Sequence, residues 1–487
     1  AKRAEKNKGK SDNSDFFSPG GRPRIPGSSL RGMVRNLVEI VSYSKFQFFD
    51  DRNLYFRTFT DQSQTLKRNY TDRVIDPEIE KGVGKYKINA GYLKRRGAGF
   101  MIIPATKNKN NKQFRRYDGD KRPGPFCFDE LADGNFIIRS GTKINKEHRD
   151  KDIWEIFKPD REAETIALSK QDIRNYRNDK KRNTKDLDLL GEKDSGKLTP
   201  CFYAVNEHKG EKRISIGHTA MFRIAYLNSI GDAVKPKDLH FDSEITDFAE
   251  AIFGMAKGKR QKAGRVFFED AVLDKKPNTN PFLPIEQITL LGPNPTTVQH
   301  YLEQDAGELK HYDDDNASVR GHKLYWHKST HDWQVNRSDF RPKITDKIRA
   351  INKGQSFTAK IRFENLHNEE LGALLFVLDL PDGCCHKLGR GKSLGLGSVD
   401  VKSALYLSNR YAHYTALFAE WTAPVQSDGA TYKDDFQRFI LKAIGEKLKD
   451  LWQVPRLREL KTMLDYHKGT ELDSKHQVSH MTITPQK

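Results

Sequence analysis

The chain has 487 residues and a mass of 56.0 kDa, enough for one elaborated domain or several ordinary ones, so core size does not limit the fold. Lys and Arg number 85 against 66 Asp and Glu, a formal charge of +19 that points to a polyanionic partner. Cys127, Cys201, Cys384 and Cys385 are too few for a dense disulfide framework, no run reaches the roughly 18 apolar residues of a membrane helix, and AKRAEKNKGKSDNSD lacks an apolar signal core, so a reducing cytoplasm without membrane attachment is expected.

Residues 25–42, IPGSSLRGMVRNLVEIVS, predict the first helix. Pro26 and Gly27 lead in, Ser28 or Ser29 can cap, and Leu30, Val34, Leu37 and Val41 recur at helical spacing, with Arg31 and Arg35 on another face. From about 50 to 210 the sequence turns polar and reads as an insertion, with loops at KNKNNKQFRRYDGDKRPGP and RNYRNDKKRNTKDLDLLGEKDSGK. Within it KINAGYLKRRGAGFMIIPA predicts two strands joined by a glycine-containing turn, with a basic tip at Lys94, Arg95 and Arg96. Order resumes with FYAV and ISIGHTAMFRIAY, a helix is expected around 243–254, and GRVFFEDAVL at 264–273, beginning with Gly264 and Arg265, reads as one buried strand.

QITLLGPNPTTVQHYLEQ and RGHKLYWHKSTHDW follow as a loop-rich aromatic segment. Residues 357–400 are the most legible. FTAKIRFENL alternates Phe357, Ala359, Ile361 and Phe363 with polar residues, the period of a half-buried strand. Asn368 is expected to cap a helix with Glu369 and Glu370 in its first turn and one apolar stripe of Leu371, Leu374, Leu375 and Leu378. HKLGRGKSLGLGSVDV then forms a basic glycine-rich loop leading to a strand. Strand, helix, glycine loop and strand make half of a split βαβ or ferredoxin-like fold, class α+β. The expected division is 1–50 as the first part of the core, 51–210 as the insertion, 211–300 as its continuation, 301–345 as the aromatic segment and 346–487 as the C-terminal part with a helical tail.

Gly389, Gly391, Gly395 and Gly397 with Arg390, Lys392 and Ser393 have the makeup of a phosphate cradle: missing side chains admit an anion to backbone N–H groups, and cations neutralise it. A plain flexible turn is the rival. A nucleotide-binding P-loop is rejected, because it needs glycine at the His386 position and opens a helix after a strand, the reverse order. Ser28 and Ser29 sit where a helix N-terminus favours phosphate, and ordinary capping explains them equally well. Capping does not explain Gly32, which costs about 1 kcal/mol inside a helix and suggests close approach of another backbone. Of His300, His311, His322, His327 and His331, only the last two have helical HxxxH spacing, and no cysteine or carboxylate pattern supports a metal; surface or RNA-stacking roles fit better. Tyr325, Trp326 and Trp333 either stack on bases or pack in the core.

RIPGSSLRGMVR resembles the motif that opens the first helix of backbone subunits in the CRISPR-associated RAMP superfamily. GRVFFEDAVL is similar to that family's later central strand, and HKLGRGKSLGLGSVDV resembles its C-terminal glycine-rich loop, in the family's order over roughly 24–400. The stretch 50–210 resembles instead the insertion-bearing subunits of type III-D-like systems. The resemblance implies an RRM-like, ferredoxin-like core that stacks beside other RAMP-type subunits in a cytoplasmic effector ribonucleoprotein of antiviral defence. Each subunit would grip a few nucleotides of guide RNA (crRNA) by their phosphates, leaving the bases to pair with target RNA, so amides, Lys and Arg should dominate over base readers. The candidate RNA contacts are Ser28, Ser29, Arg31, Arg35, Lys94, Arg95, Arg96, Arg265, Gly389, Arg390, Gly391, Lys392 and Ser393.

Some members of the family cut the paired target with an acidic residue in the loop before the first helix. The matching loop, SDNSDFFSPGGRPR, offers Asp15 and secondarily Asp12, where a carboxylate would bind Mg2+ or Mn2+ or orient a 2′-hydroxyl; the rival is a solvated loop aspartate. Binding alone implies no cofactor. Two readings therefore stand, a guide-binding scaffold and a metal-dependent endoribonuclease, while a stand-alone guide-processing enzyme lacks a His/Tyr/Lys constellation. The family's first strand should precede this loop, and nothing before Asp12 reads as a strand, so a segment ahead of Ala1 is expected.

Overall fold

Pro26 and Gly27 do open the first helix, but what caps it is Asp270, a residue far along the chain between two strands. The computed structural model describes residues 16–46, 49–58, 64–74, 87–121, 123, 128–139, 153–179, 188–191, 198–235, 245–257, 259–274, 280–290, 292, 294–305, 307, 309–329, 345–416, 423–475 and 478. Those within 1–47, 238–293 and 322–482 form one unit, and those within 48–237 and 294–321 a second. Helix and strand are mixed throughout, an α+β protein, and no helix among the described residues is long and apolar enough to cross a membrane.

Unit one begins with strand β1 (Arg24–Ile25) and helix α1 (Gly27–Val41), close to the predicted span. Val34, Leu37, Val38 and Val41 form its buried stripe. Neither Ser28 nor Ser29 caps it, contrary to expectation; both residues are exposed, and the Gly27 amide instead donates to Asp270 Oδ1 at 2.8 Å. Gly27 lies against the Phe268 carbonyl with no room for a Cβ, which brings its N–H onto the Asp270 carboxylate.

Unit two contains β2 (Tyr55–Phe56), α2 (Gln64–Val74), β3 (Asn89–Arg96), β4 (Gly99–Pro104), β5 (Phe114–Arg116), β6 (Phe128–Glu130), β7 (Phe136–Arg139), β8 (Ile153–Ile156), β9 (Ile166–Ala167), α3 (Lys170–Asn178), β10 (Thr199–His208), β11 (Glu211–Gly217) and β12 (Ile224–Ala225). A five-stranded sheet runs β11-β10-β3-β4-β9, a four-stranded one β5-β8-β7-β6, and β12 pairs with β2. The predicted hairpin is β3–β4, closing between Arg96 and Gly99. Despite its polar composition the unit fully buries Tyr70, Tyr92, Phe202 and Tyr226. Asp313 ties its two chain passes together: Oδ1 accepts the amides of Leu227 (2.6 Å) and Asn228 (3.1 Å), and Oδ2 lies 3.3 Å from Arg73 Nη1.

Unit one resumes with α4 (Phe248–Phe253), β13 (Met255–Lys257), β14 (Arg260–Lys262), β15 (Val266–Phe268), β16 (Ala271–Leu273) and β17 (Phe282–Thr289). After α5 (Val298–Tyr301) of unit two come β18 (Thr345–Ile351), β19 (Phe357–Thr358), β20 (Ile361–Phe363) and α6 (Asn368–Leu378). GRVFFEDAVL is thus two strands rather than one. β15 pairs with β20, while β16 pairs with β1 and β19; the Glu269 amide still donates to the Lys360 carbonyl at 3.1 Å, and the break falls at Asp270, whose carboxylate takes the Gly27 amide. FTAKIRFENL is split at the matching place.

Helix α6 begins at Asn368, so His367 rather than Asn368 precedes it, and the Glu370 carboxylate accepts the His367 amide at 2.8 Å. The expected single stripe is also exceeded, since every residue from Glu370 to Val377 is buried. The reason is that α6 packs between α1 and α8 (Ala430–Ala443), with Gly372 against the Tyr432 carbonyl. Short strands β21 (His386–Lys387) and β22 (Ser398–Val399) pair across the glycine-rich loop, so that loop tips a hairpin. β23 (Leu405–Leu407) pairs with β24 (Val425–Ser427) across α7 (Arg410–Thr415), and α9 (Pro455–Leu464) and α10 (Tyr466–Ser474) close the unit.

Candidate nucleic-acid interface

The loop between β21 and β22 owes its shape to four left-handed glycines. Gly389, Gly391, Gly395 and Gly397 have φ of 86°, 68°, 99° and 77°, which side chains with a Cβ adopt at a cost. The Leu388 amide donates to the Gly397 carbonyl at 2.8 Å and closes the loop. From within, Lys387 Nζ donates to the carbonyls of Gly395 and Leu396, each at 3.1 Å, while Leu394 and Leu396 pack with Ile288 and Ile348 of the β17–β18 ribbon. The loop is therefore braced rather than a plain flexible turn, and Gly389 and Arg390 lie exposed at its tip.

Cations cluster here. Burial, and then the neighbouring charges of Lys328 and Lys392, lower the Lys387 ammonium to about 8. The Lys323 and Lys392 ammonium groups lie 5.5 and 5.7 Å from the centroid of the Tyr325 ring, within cation–π range.

A strap at 322–327 carries Tyr325 and ties this loop to α1. At one end His322 Nδ1 is 3.0 Å from Asn36 Oδ1, with the imidazole edge-on to Phe46 at 5.2 Å. At the other, His327 Nε2 donates to the Cys385 carbonyl at 3.1 Å and Nδ1 takes the Ser398 hydroxyl at 2.8 Å. Extended chain spans at most about 3.6 Å per residue, so the Cα atoms of these histidines are within about 18 Å of each other. Burial holds both imidazoles down at about 4, so they are neutral pegs rather than the surface or stacking histidines expected. His331 and Trp333 lie outside the described residues.

On α1, Ser29, Gly32 and Asn36 follow at spacings of three and four along one side, the side on which His322 docks. No backbone approaches Gly32, contrary to expectation: a Cβ there would meet nothing within 4 Å, and the residue is exposed. The close approach belongs to Gly27.

Two arginines expected on RNA have their guanidinium groups engaged within the fold. Arg35 Nε donates to Glu39 Oε1 at 2.8 Å and Nη1 to the Gly254 carbonyl at 3.2 Å, all buried. Arg265 donates to the carbonyls of Ala251 and Asn365 and pairs with Glu370. Arg31 is half committed: Nη2 donates to the Phe253 carbonyl at 2.5 Å and the guanidinium lies 5.7 Å from the Phe253 ring centroid. Ser28 and Ser29 are exposed, Gly391 is buried, and Lys392 and Ser393 are half-buried on the braced loop. Lys94, Arg95 and Arg96 are exposed on unit two, where Arg95 Nε donates to the Gly97 carbonyl at 3.2 Å. Asp12 and Asp15 lie outside the described residues. Among the described residues no three His, Cys, Asp or Glu side chains converge to hold a metal ion.

Sequence reasoning passed over Lys323, Lys328 and Lys387, and also the run MAKGKRQK, which forms the β13–β14 hairpin. Its signal was in view as four cations in six residues, 257–262, with no acid among them.

The RAMP superfamily model matches the chain twice, over residues 6–194 and 174–400. No curated protein matches it.

Proposed function

The chain belongs to the RAMP superfamily, and from that premise we propose that it is a crRNA-binding backbone subunit of a type III CRISPR effector complex, of the insertion-bearing type III-D-like kind. Superfamily membership points to an RNA-binding CRISPR effector protein; the finer reading adds the guide strand, the stacking on other RAMP-type subunits and the target RNA that pairs with the guide. The observation that carries it is the braced glycine loop, with four left-handed glycines and Lys387, Lys392 and Lys328 gathered behind it. Amides freed of side chains and flanked by ammonium groups recognise phosphate and no particular base, as a subunit that must accept any guide requires.

Helices α1 and α6 beside short antiparallel strands β1-β16-β19 and β15-β20 support an RRM-like core for this unit. Ser28, Ser29, Gly389, Arg390, Lys392 and Ser393 stay in the proposed contact set, with Lys94, Arg95 and Arg96 of the β3–β4 hairpin, while the buried Gly391 serves to shape the loop. Arg35 and Arg265 leave it because their guanidinium groups are engaged in the fold.

The test is purification of the native protein with its associated partners, followed by sequencing of any small RNA it carries. Co-purified crRNA of varied sequence is expected, and Lys392→Ala should weaken binding similarly for every guide. Absence of RNA, or a loss that depends on guide sequence, would reject the reading.

A further inference from the structure

We propose that the β13–β14 hairpin is a second phosphate grip, and that Arg31 and Arg35 act as positioning residues that aim it rather than as RNA contacts. The inference rests on the RNA-binding reading above and adds a site outside the glycine loop.

Residues directly opposite one another in an antiparallel ladder share a face. Lys257 pairs with Arg260 and Met255 with Lys262, so Lys257, Arg260 and Lys262 lie on one face, while Ala256 and Gln261 occupy the other. Lys259 sits at the turn, exposed. Same-face positions along a strand are about 7 Å apart. The run 257–262 carries four cations and no acid, which suits the phosphates of a nucleic-acid strand whatever its base sequence. A strand's backbone is therefore the occupant we assign.

The base of the hairpin is held firmly. Gly254, at φ +78°, and Gly264 approach so closely that neither has room for a side chain. The chain enters the hairpin from α4, whose two ends are both gripped from the α1 side. At its start, Lys45 Nζ lies 3.1 Å from Glu250 Oε2, and the Lys45 amide donates to Asp247 Oδ2 at 3.0 Å. At its end, Arg31 takes the Phe253 carbonyl and Arg35 the Gly254 carbonyl, with both guanidinium groups within 5.8 Å of the Phe253 ring centroid. An isolated two-stranded hairpin is marginal in water, so its direction is set by these carbonyl contacts.

The experiment measures binding of the full chain to a fluorescent single-stranded RNA of mixed sequence across a salt series. It compares wild type, K392A, the quadruple variant K257Q/K259Q/R260Q/K262Q, R31A, and R31A combined with the quadruple change. The quadruple variant should lower the salt slope by about 3, at roughly 0.7 for each of four lost phosphate contacts. R31A should weaken binding in the wild-type hairpin and add nothing once the hairpin is neutral, the signature of a residue acting through another. An unchanged slope in the quadruple variant overturns the grip. An R31A loss that persists in the neutral-hairpin background overturns the positioning role. Should R31A fail to fold, R31K, which keeps one donor to the Phe253 carbonyl, takes its place. Wild type that binds no RNA would bring down the underlying reading as well, whereas K392A-sensitive binding with an indifferent hairpin would sink this inference alone.

Discussion

His322 and Asn36, 286 residues apart, are joined by a hydrogen bond of 3.0 Å from Nδ1 to Oδ1, which pins the Tyr325 strap to helix α1. The carbonyl oxygen accepts, so Nδ1 carries a proton, and burial keeps the ring neutral at pH 7. Burial lowers His322 and His327 to about 4. Unfolded, each titrates near 6.5, so below that pH the unfolded chain binds more protons than the folded one. The stabilisation is complete above about 6.5 and is lost as pH falls towards 4. Thermal melting between pH 7 and pH 4.5 should show a midpoint that drops by several degrees, and His327→Asn should flatten that dependence; a wild-type midpoint indifferent to pH over this window would contradict the burial argument.

Asp270 caps α1 from the break between β15 and β16, and its carboxylate also lies 3.9 Å from Arg24 Nη1. Asp270→Ala removes the partner of a helix-start amide and should cost about 1–2 kcal/mol, as cap losses do. Asp270→Asn keeps an acceptor and should lose much less. Hydrogen exchange at the start of α1 measures both; equal protection in the alanine variant would show that the amide does not depend on this carboxylate.

Helix α1 and the glycine loop were legible because each announces itself locally, one through apolar residues at period 3.6, the other through glycines interleaved with cations. The hairpin at 255–262 was not, since MAKGKRQK has no period-2 apolar alternation and its strands are fixed by contacts at Phe253 and Gly254. The engagement of Arg35 and Arg265 within the fold was hidden for a related reason. A cation on a helix or at a strand start reads as solvent-facing, and their decisive partners, Gly254 and Glu370, lie 219 and 105 residues away. The split of GRVFFEDAVL was equally invisible, because Asp270 leaves its ladder to serve a helix 243 residues earlier.

Gly32 separates stability from binding. A Cβ there meets nothing in the chain, so Gly32→Ala should stabilise α1 by up to about 1 kcal/mol through helix propensity alone. If RNA lies along Ser29, Gly32 and Asn36, the same methyl group should weaken binding. Melting and RNA titration on one preparation check the pair of effects, and a variant that is both more stable and equally tight would remove this face from the interface.

Lys387 gives the loop a pH signature. Its ammonium stands at about 8 in the free protein, held down first by burial and then by Lys328 and Lys392. A bound polyanion favours the charged form and raises that value, so binding near pH 8 should take up protons, and affinity should fall as pH rises from 7 to 9. Calorimetry in buffers of different ionisation enthalpy counts those protons directly. Lys387→Met should abolish the uptake, and it should also weaken binding at pH 7 by leaving the Gly395 and Leu396 carbonyls without their brace. Proton uptake that persists undiminished in the methionine variant would assign the titration to another group.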